Sequence, residues 1–254
     1  MRGLIRLLVA PGALLLAATL GAGCSTDIGA PPERVFKAAP WTADERMTYD
    51  LVERGGQVYG TCEVVTDVDH EPGTGTTLLS FLCGDGEGYR DDRTALVDSA
   101  TLEPHTATRT ITKTDEKATK FESQYDPPLV RLTATEGEKT RTTERDLPEP
   151  TKENPEPGWY DDESLLWLVR GIPLAQGYKG AFRDINASTG RIFTVEVSVV
   201  AQETLKVPAG EFTAWKVRVR TSSVTHYFWV DIESPHRIVR ARVEHLSYEL
   251  TGIE

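Results

Sequence analysis

Five histidines, three cysteines and a few paired carboxylates have side chains suited to metal binding or catalysis. His70, His105, His226, His236 and His245 show neither HxxxH nor HExxH spacing, so no metal site is expected. Asp161-Asp162 and Asp91-Asp92 are adjacent pairs, placed like a helix cap and a loop, with no acid/base partner visible in the sequence. Gly84-Asp85-Gly86-Glu87-Gly88 lacks the strand-to-helix setting of a phosphate loop and reads as a wide turn. No GxSxG, P-loop or GxGxxG motif occurs. Asp184, Asn186 and Ser188 alternate like the opening of a calcium loop, but Gly190 falls one residue late and Val195 stands where the bidentate Glu belongs. A hairpin turn is the simpler reading there. No catalytic residue and no cofactor is indicated, so the chain does not read as an enzyme. Cys24, Cys62 and Cys83 are left to explain.

Cys24 closes the leader. Arg2 and Arg6 precede an uncharged run from Leu7 to Ala22, interrupted by Pro11-Gly12. That run falls short of the ~20 residues of a spanning helix and ends in small residues, so residues 1–23 read as an export signal. The lack of an Arg-Arg pair favours the general secretion route. Leu20-Gly21-Ala22-Gly23-Cys24 resembles a bacterial lipobox, in which a small residue precedes a cysteine thioether-linked to diacylglycerol. It departs from the usual pattern by carrying Gly21 three residues before the cysteine, with Leu20 one position further back. The resemblance implies a lipidated Cys24 whose acyl chains, such as palmitate, anchor the protein to a membrane. The alternative is a plain secretory signal cut near Gly23. Ser25, rather than Asp, resembles the pattern released to the outer membrane of a diderm host, facing the periplasm.

Charge agrees with that anchor. The 254 residues include 28 Lys+Arg and 39 Asp+Glu, a formal charge of −11, and removing residues 1–23 takes away two arginines and no acid. Such a chain is a poor partner for nucleic acid. It is also poorly suited to electrostatic attachment to anionic headgroups, so membrane residence must come from acyl chains. A hydrophobic content of 39% with 26% charged residues is ordinary for a folded domain.

An odd thiol is a liability in an exported protein, and lipidation of Cys24 leaves Cys62 and Cys83 as a disulfide pair. Val58, Gly60, Cys62, Val64 and Val68 share one face of a strand, and Leu79, Phe81 and Cys83 share one face of another, so both thiols point to the apolar side. Two buried free thiols are the alternative.

The elements that must position these residues are nearly all strands. Ser25 to about Ala39, with Pro31-Pro32, reads as a flexible tether. From Trp41 onward, Arg46–Val52, Val58–Val68, Thr77–Cys83, Thr94–Ala100, Thr106–Thr114, Thr119–Tyr125, Leu129–Thr135 and Lys139–Arg145 are expected strands between Gly, Pro and Asp turn signals. Thr106–Thr114 alternates strictly and is polar on both faces, so it faces solvent or lines something wetter than a core. The Pro- and Glu-rich stretch 147–158 reads as a solvated connection between two halves of a sheet. Leu165, Leu168, Val169 and Ile172 then mark one short amphipathic helix, capped by Asp161 or Asp162 and stopped by Gly171 and Pro173. Alternation returns in Phe193–Val199, in Trp215–Arg220 after a Val207–Gly210 turn, and in Thr225–Val230, Ile238–Val243 and Leu246–Leu250.

Glu203–Phe212 (ETLKVPAGEF), Trp215-Lys216-Val217, Tyr227–Asp231 and Ile238-Val239-Arg240, together with Leu165–Leu174, resemble a family of exported bacterial proteins of unknown function. The likeness covers roughly residues 160–254. It implies an architecture similar to periplasmic lipoprotein carriers of the LolA/LolB type, a curved half-barrel with a helix against its concave face, and it carries no catalytic residue. The expected fold is therefore all-β, one strongly curved antiparallel sheet or open barrel over residues 43–254 with one short helix packed on it. Residues 24–42 form the lipidated cysteine and tether. Leu168, Phe193, Val195, Val197, Val199, Trp215, Val217 and Val219 would line a cavity for a lipid or other hydrophobic ligand, or else fill a core. Two roles follow: an envelope lipoprotein that binds such a ligand without catalysis, or a structural lipoprotein presenting a polar β surface to an envelope protein partner.

Overall fold

The structure, a computed structural model, describes residues 31–254. The export signal and Cys24 lie outside the described residues. Fifteen strands form a single sheet: β1 Glu45–Glu53, β2 Val58–Val68, β3 Thr76–Gly84, β4 Arg90–Asp98, β5 Pro104–Thr112, β6 Thr119–Asp126, β7 Leu129–Glu136, β8 Lys139–Asp146, β9 Trp159–Asp161, β10 Lys179–Asn186, β11 Arg191–Val207, β12 Gly210–Arg220, β13 Thr225–Asp231, β14 Ile238–Val243 and β15 Leu246–Ile253. A 3-10 turn, Asp162–Ser164, runs into the helix α1, Leu165–Leu168. The expected all-β class and open, curved sheet are what is found.

The sheet is two meanders joined where the chain's first and last strands pair. Its order is β8-β7-β6-β5-β4-β3-β2-β1-β15-β14-β13-β12-β11-β10-β9. Every pairing is antiparallel except β9 with β10. Short turns between consecutive strands make antiparallel neighbours the natural product of this sequence. Stretch 147–158 carries the chain from one free edge, β8, to the other, β9, as a connection between two halves.

Those edges do not pair with each other. The two ends of the sheet meet through side chains instead: Tyr125, Val130 and Leu132 of β6 and β7 pack with Ile185 of β10 and with Leu147, Trp159 and Ile192. Tyr125 stacks on Trp159, ring centroids 5.6 Å apart. Burial on both faces explains why β10 escapes the alternation pattern: Ala181, Phe182, Asp184 and Ile185 are all buried.

The inner face of the curl holds the main core, including Met47, Tyr49, Val64, Leu79, Phe81, Val97, Val217 and Phe228. Cys62 and Cys83 are directly opposed on β2 and β3 and are disulfide-bonded, with Cα atoms 4.1 Å apart. Four sequence expectations need adjustment. Val58 is 53% exposed because a register shift at Leu51/Val52 lifts the start of β2 out of the inward pattern. Thr94–Ala100 is displaced to Arg90–Asp98, since Asp98 opens the next turn by accepting from Ala100 and Thr101. The helix reaches only Leu168, and Arg170 and Gly171 continue as turns. The packed domain also begins within the expected tether: Val35, Phe36 and Trp41 are buried, and the Lys37 amide donates to Gly171 at 2.8 Å. Gly171 is required there, because any Cβ would strike the Phe36 ring.

The helix is tied down by polar contacts. Trp167 Nε1 donates to Thr66 of β2 at 2.8 Å, and buried Arg170 reaches Glu45 at 2.6 Å and the carbonyls of Pro235 and His236. Arg237 donates to the same Glu45 at 2.8 Å, and the Arg170 guanidinium lies 5.0 Å from the Trp41 ring centre. A helix of one turn cannot hold itself, so these contacts fix its position across the sheet.

Candidate functional site

Between that helix and the inner face of the sheet lies a cavity of about 610 Å³. This is within the ~300–1,000 Å³ typical of small-molecule sites. Val64, Phe81, Leu165, Leu166, Phe193, Phe228, Ile238, Ala241, Val243 and Leu246 supply its apolar lining. Thr189, Ser223, Glu244 and His245 also line it and are exposed, which sets its mouth among the turns β10–β11, β12–β13 and β14–β15.

The opposite lining is polar and comes from strand alternation. Asp91 and Arg93 of β4 share the inward parity of Ala95 and Val97, and Arg109 of β5 shares that of Ala107. Asp91 accepts from Arg93 at 2.6 and 3.1 Å and from Arg109 twice at 2.8 Å. Burial opposes its charge, but the two guanidiniums beside it hold the carboxyl below the usual carboxylate range. Arg93 also lies over Phe81, 5.1 Å from its ring centre.

Three further acids enter from the helix start. Asp161, in extended conformation, caps the 3-10 turn by accepting from the Glu163 amide at 2.9 Å. Its other oxygen accepts from the Tyr125 hydroxyl at 2.5 Å. Burial lifts the Asp161 carboxyl to about 6, against those two hydrogen bonds. Asp162 lines the cavity and accepts from Asn186 Nδ2 at 3.0 Å. Glu163 points into the cavity, and its Oε2 is buried without a hydrogen-bond partner, 3.5 Å from Arg93. Burial raises the Glu163 carboxyl to about 8; Arg93 opposes the shift, and Asp162 and Asp161 add to it.

Asp184 completes the group from β10. It is only 6% exposed, and burial, then the neighbouring Asp162, Asp161 and Glu163, push its carboxyl well above the ordinary range. His226, from β13, also lines the cavity; its Nδ1 is buried and unpartnered, and burial lowers its basicity. Strongly shifted acids converging in a cavity are a mark of a functional site. Among the described residues no three His, Cys, Asp or Glu side chains converge as a metal site.

Of the expected apolar lining, Phe193 borders the cavity. Leu168, Val195, Val197, Val199, Val217 and Val219 are packed into the core, and Trp215 lies half-buried against it. The cavity sits nearer the β3–β5 half of the curl than that list anticipated. Asp91-Asp92 proves to be strand rather than loop, whereas the expected hairpin turn is present at residues 187–190 between β10 and β11, with Asp184 and Asn186 on β10 before it. The signal available for them was parity: Asp91, Arg93 and Arg109 occupy positions where an alternating strand should be apolar.

Residues 73–246 match the model of a family described as a protein of unknown function, DUF3108. No curated protein matches the chain. A β-barrel-like protein of a domain of unknown function, DUF1849, from Brucella abortus is similar over 84% of this chain and 97% of its own, with a TM-score of 0.51 and 13% identity. That likeness concerns the fold alone. Two further solved structures are a protein from Bacteroides fragilis NCTC 9343 described as exported, with a YmcC-like fold (15% identity, TM-score 0.29), and one from Parabacteroides distasonis ATCC 8503 described as a lipoprotein (8% identity, TM-score 0.31). Each covers 87% of this chain and 99% of its own, and at those scores neither carries an argument. None of these comparisons shows the expected likeness to LolA/LolB-type carriers.

Proposed function

We propose that this chain, which belongs to the DUF3108 family of proteins of unknown function, is an envelope lipoprotein that holds an apolar or amphipathic ligand inside its curled sheet without transforming it. The carrying observation is the cavity, whose lining is apolar on the side of β13–β15 and α1 and charged on the side of β4, β5 and β10. An occupant with an apolar body and a polar head would satisfy both sides at once.

The membrane part of this reading rests on Cys24. With Cys62 and Cys83 paired to each other, Cys24 is the one cysteine left for lipid attachment. Its acyl chains would hold the domain at the outer membrane, facing the periplasm, in a diderm host.

Organic extraction of the chain purified from its own cells, followed by mass spectrometry, tests the ligand reading. A bound lipid or other amphiphile released at about one per chain supports it; an empty extract contradicts it.

One observation favours the second role, a lipoprotein that presents a polar β surface to an envelope protein. β8 is an edge strand exposed along nearly its whole length, beside a ladder in which Thr133 pairs with Thr142 and Thr135 with Thr140. Such an edge can add a partner strand. Cross-linking from β8 to a single envelope protein, lost when β8 carries a proline, would support that role.

A further inference from the structure

Acidic groups outnumber cationic ones along the cavity wall, and that excess bears on the head group a ligand would carry. Resting on the reading of this cavity as an amphiphile site, we propose that the ligand carries a cationic ammonium head, seated against Glu163 and Asp184 with its apolar body along Phe193 and Phe228.

Both carboxyls are built into the wall rather than exposed at a surface. The Glu163 side chain is 9% exposed and Asp184 6%. Glu163 Oε2 is buried with no hydrogen-bond partner. A buried carboxyl without a partner is costly, and the neighbours of Asp184 are acids. An ammonium group meets that cost, because it brings both the opposite charge and N–H donors for the acceptor oxygens.

Arg93 and Arg109 do not reverse this balance. Each spends its Nε and one terminal nitrogen on Asp91, so one carboxylate already shares both guanidiniums. Arg93 adds only a 3.5 Å approach to Glu163. Two cations therefore face Asp91, Asp162, Glu163 and Asp184, all of which line the cavity. A small metal ion fits poorly, since the described acids do not converge at ligand distance. His226 Nδ1, unpartnered on the same lining, gives a ligand N–H a further acceptor when it carries no proton.

The test uses three probes of equal chain length: dodecylamine, dodecanol and dodecanoate, titrated by calorimetry into the full chain carrying Cys24→Ser and purified without detergent. Dodecylamine should bind most tightly, by about tenfold or more, as expected for a charge-assisted pair away from water. Glu163→Gln and Asp184→Asn should each reduce the advantage of dodecylamine over dodecanol about tenfold. Neither variant adds bulk, and unchanged circular dichroism will show the fold kept. Dodecanol or dodecanoate binding as tightly as the amine overturns the ammonium assignment while leaving the amphiphile site standing. Amine binding that both variants leave untouched overturns it as well. If none of the three binds, the amphiphile site itself is refuted.

Discussion

The hydroxyl of Tyr125 on β6 donates to the carboxylate of Asp161 at the end of β9, at 2.5 Å, although no backbone ladder joins their strands. The curl is thus shut by a side-chain seam rather than by strand pairing. The same Asp161 caps the turn that carries Asp162 and Glu163 into the cavity, so closing the seam and placing the acids are one structural event.

Tyr125→Phe leaves that buried carboxyl without its side-chain donor while keeping the stack on Trp159. The expected cost is about 1–3 kcal/mol of stability, measured by chemical denaturation. The Asp161 carboxyl, already raised by burial, should rise further, because a hydrogen bond favouring its charged form is gone. An unchanged midpoint would show the seam to be idle.

The Cys62–Cys83 bridge spans 21 residues of chain and joins two adjacent strands. Reduction, or Cys62→Ser with Cys83→Ser, should lower stability by about 3 kcal/mol in the chain-entropy model. The cavity acids lie on β4, on β10 and on the 3-10 turn rather than on β2 or β3, so binding should survive below the new melting temperature. Free-thiol counting on the native protein checks the pairing directly.

Stability should also fall as pH rises. Burial lifts Glu163 from an ordinary 4.5 to about 8, so between those values the folded chain holds a proton that the unfolded chain has released. This contribution to stability is therefore fully present below that window and is lost progressively as pH climbs through it. Asp184 acts in the same direction. The charged groups around Glu163 are Arg93 and Arg109, which oppose the shift, and Asp162 and Asp161, which add to it. Melting temperatures of the native chain should drop from pH 5 toward pH 8.5, and Glu163→Gln should flatten that slope. Parallel slopes for the two proteins would show Glu163 to be ionised throughout.

Much of this fold was legible in the sequence, and the exceptions share physical causes. Phe193–Val199 and Trp215–Arg220 alternate cleanly because one face is buried and the other wet. β10 hid because its outer face is covered by β6 and β7, which erased the alternation. Asp161 announced itself as a cap, but nothing local reveals that its second oxygen meets Tyr125, 36 residues away in the chain. The cavity acids were visible as residues and invisible as a group, since β4, the helix start and β10 come together only when the sheet curls. Nor does net charge reveal how cations are placed: Lys216, Arg240 and Arg242 gather around Trp229 on the outer face, 5.1 to 5.9 Å from its ring centre, with Lys216 paired to Glu203 at 2.9 Å and Arg240 to Glu249 at 3.1 Å.

Cys24→Ser tests the anchor. The substituted chain should move from the detergent phase to the aqueous phase on phase separation, because two or more acyl chains dominate stable anchoring. Retention in the detergent phase would contradict a lipid anchor at Cys24.

The central claim is that the cavity holds a ligand, and occupancy before and after filling it is the most direct measure. Ala241 is buried on the cavity wall, so Ala241→Phe places a ring in the space while keeping an apolar surface. Extraction and mass spectrometry of both proteins from the same cells, with circular dichroism to confirm folding, should recover an amphiphile from the native chain and little from Ala241→Phe. Equal recovery from the two, or none from the native chain, would contradict a ligand-holding cavity.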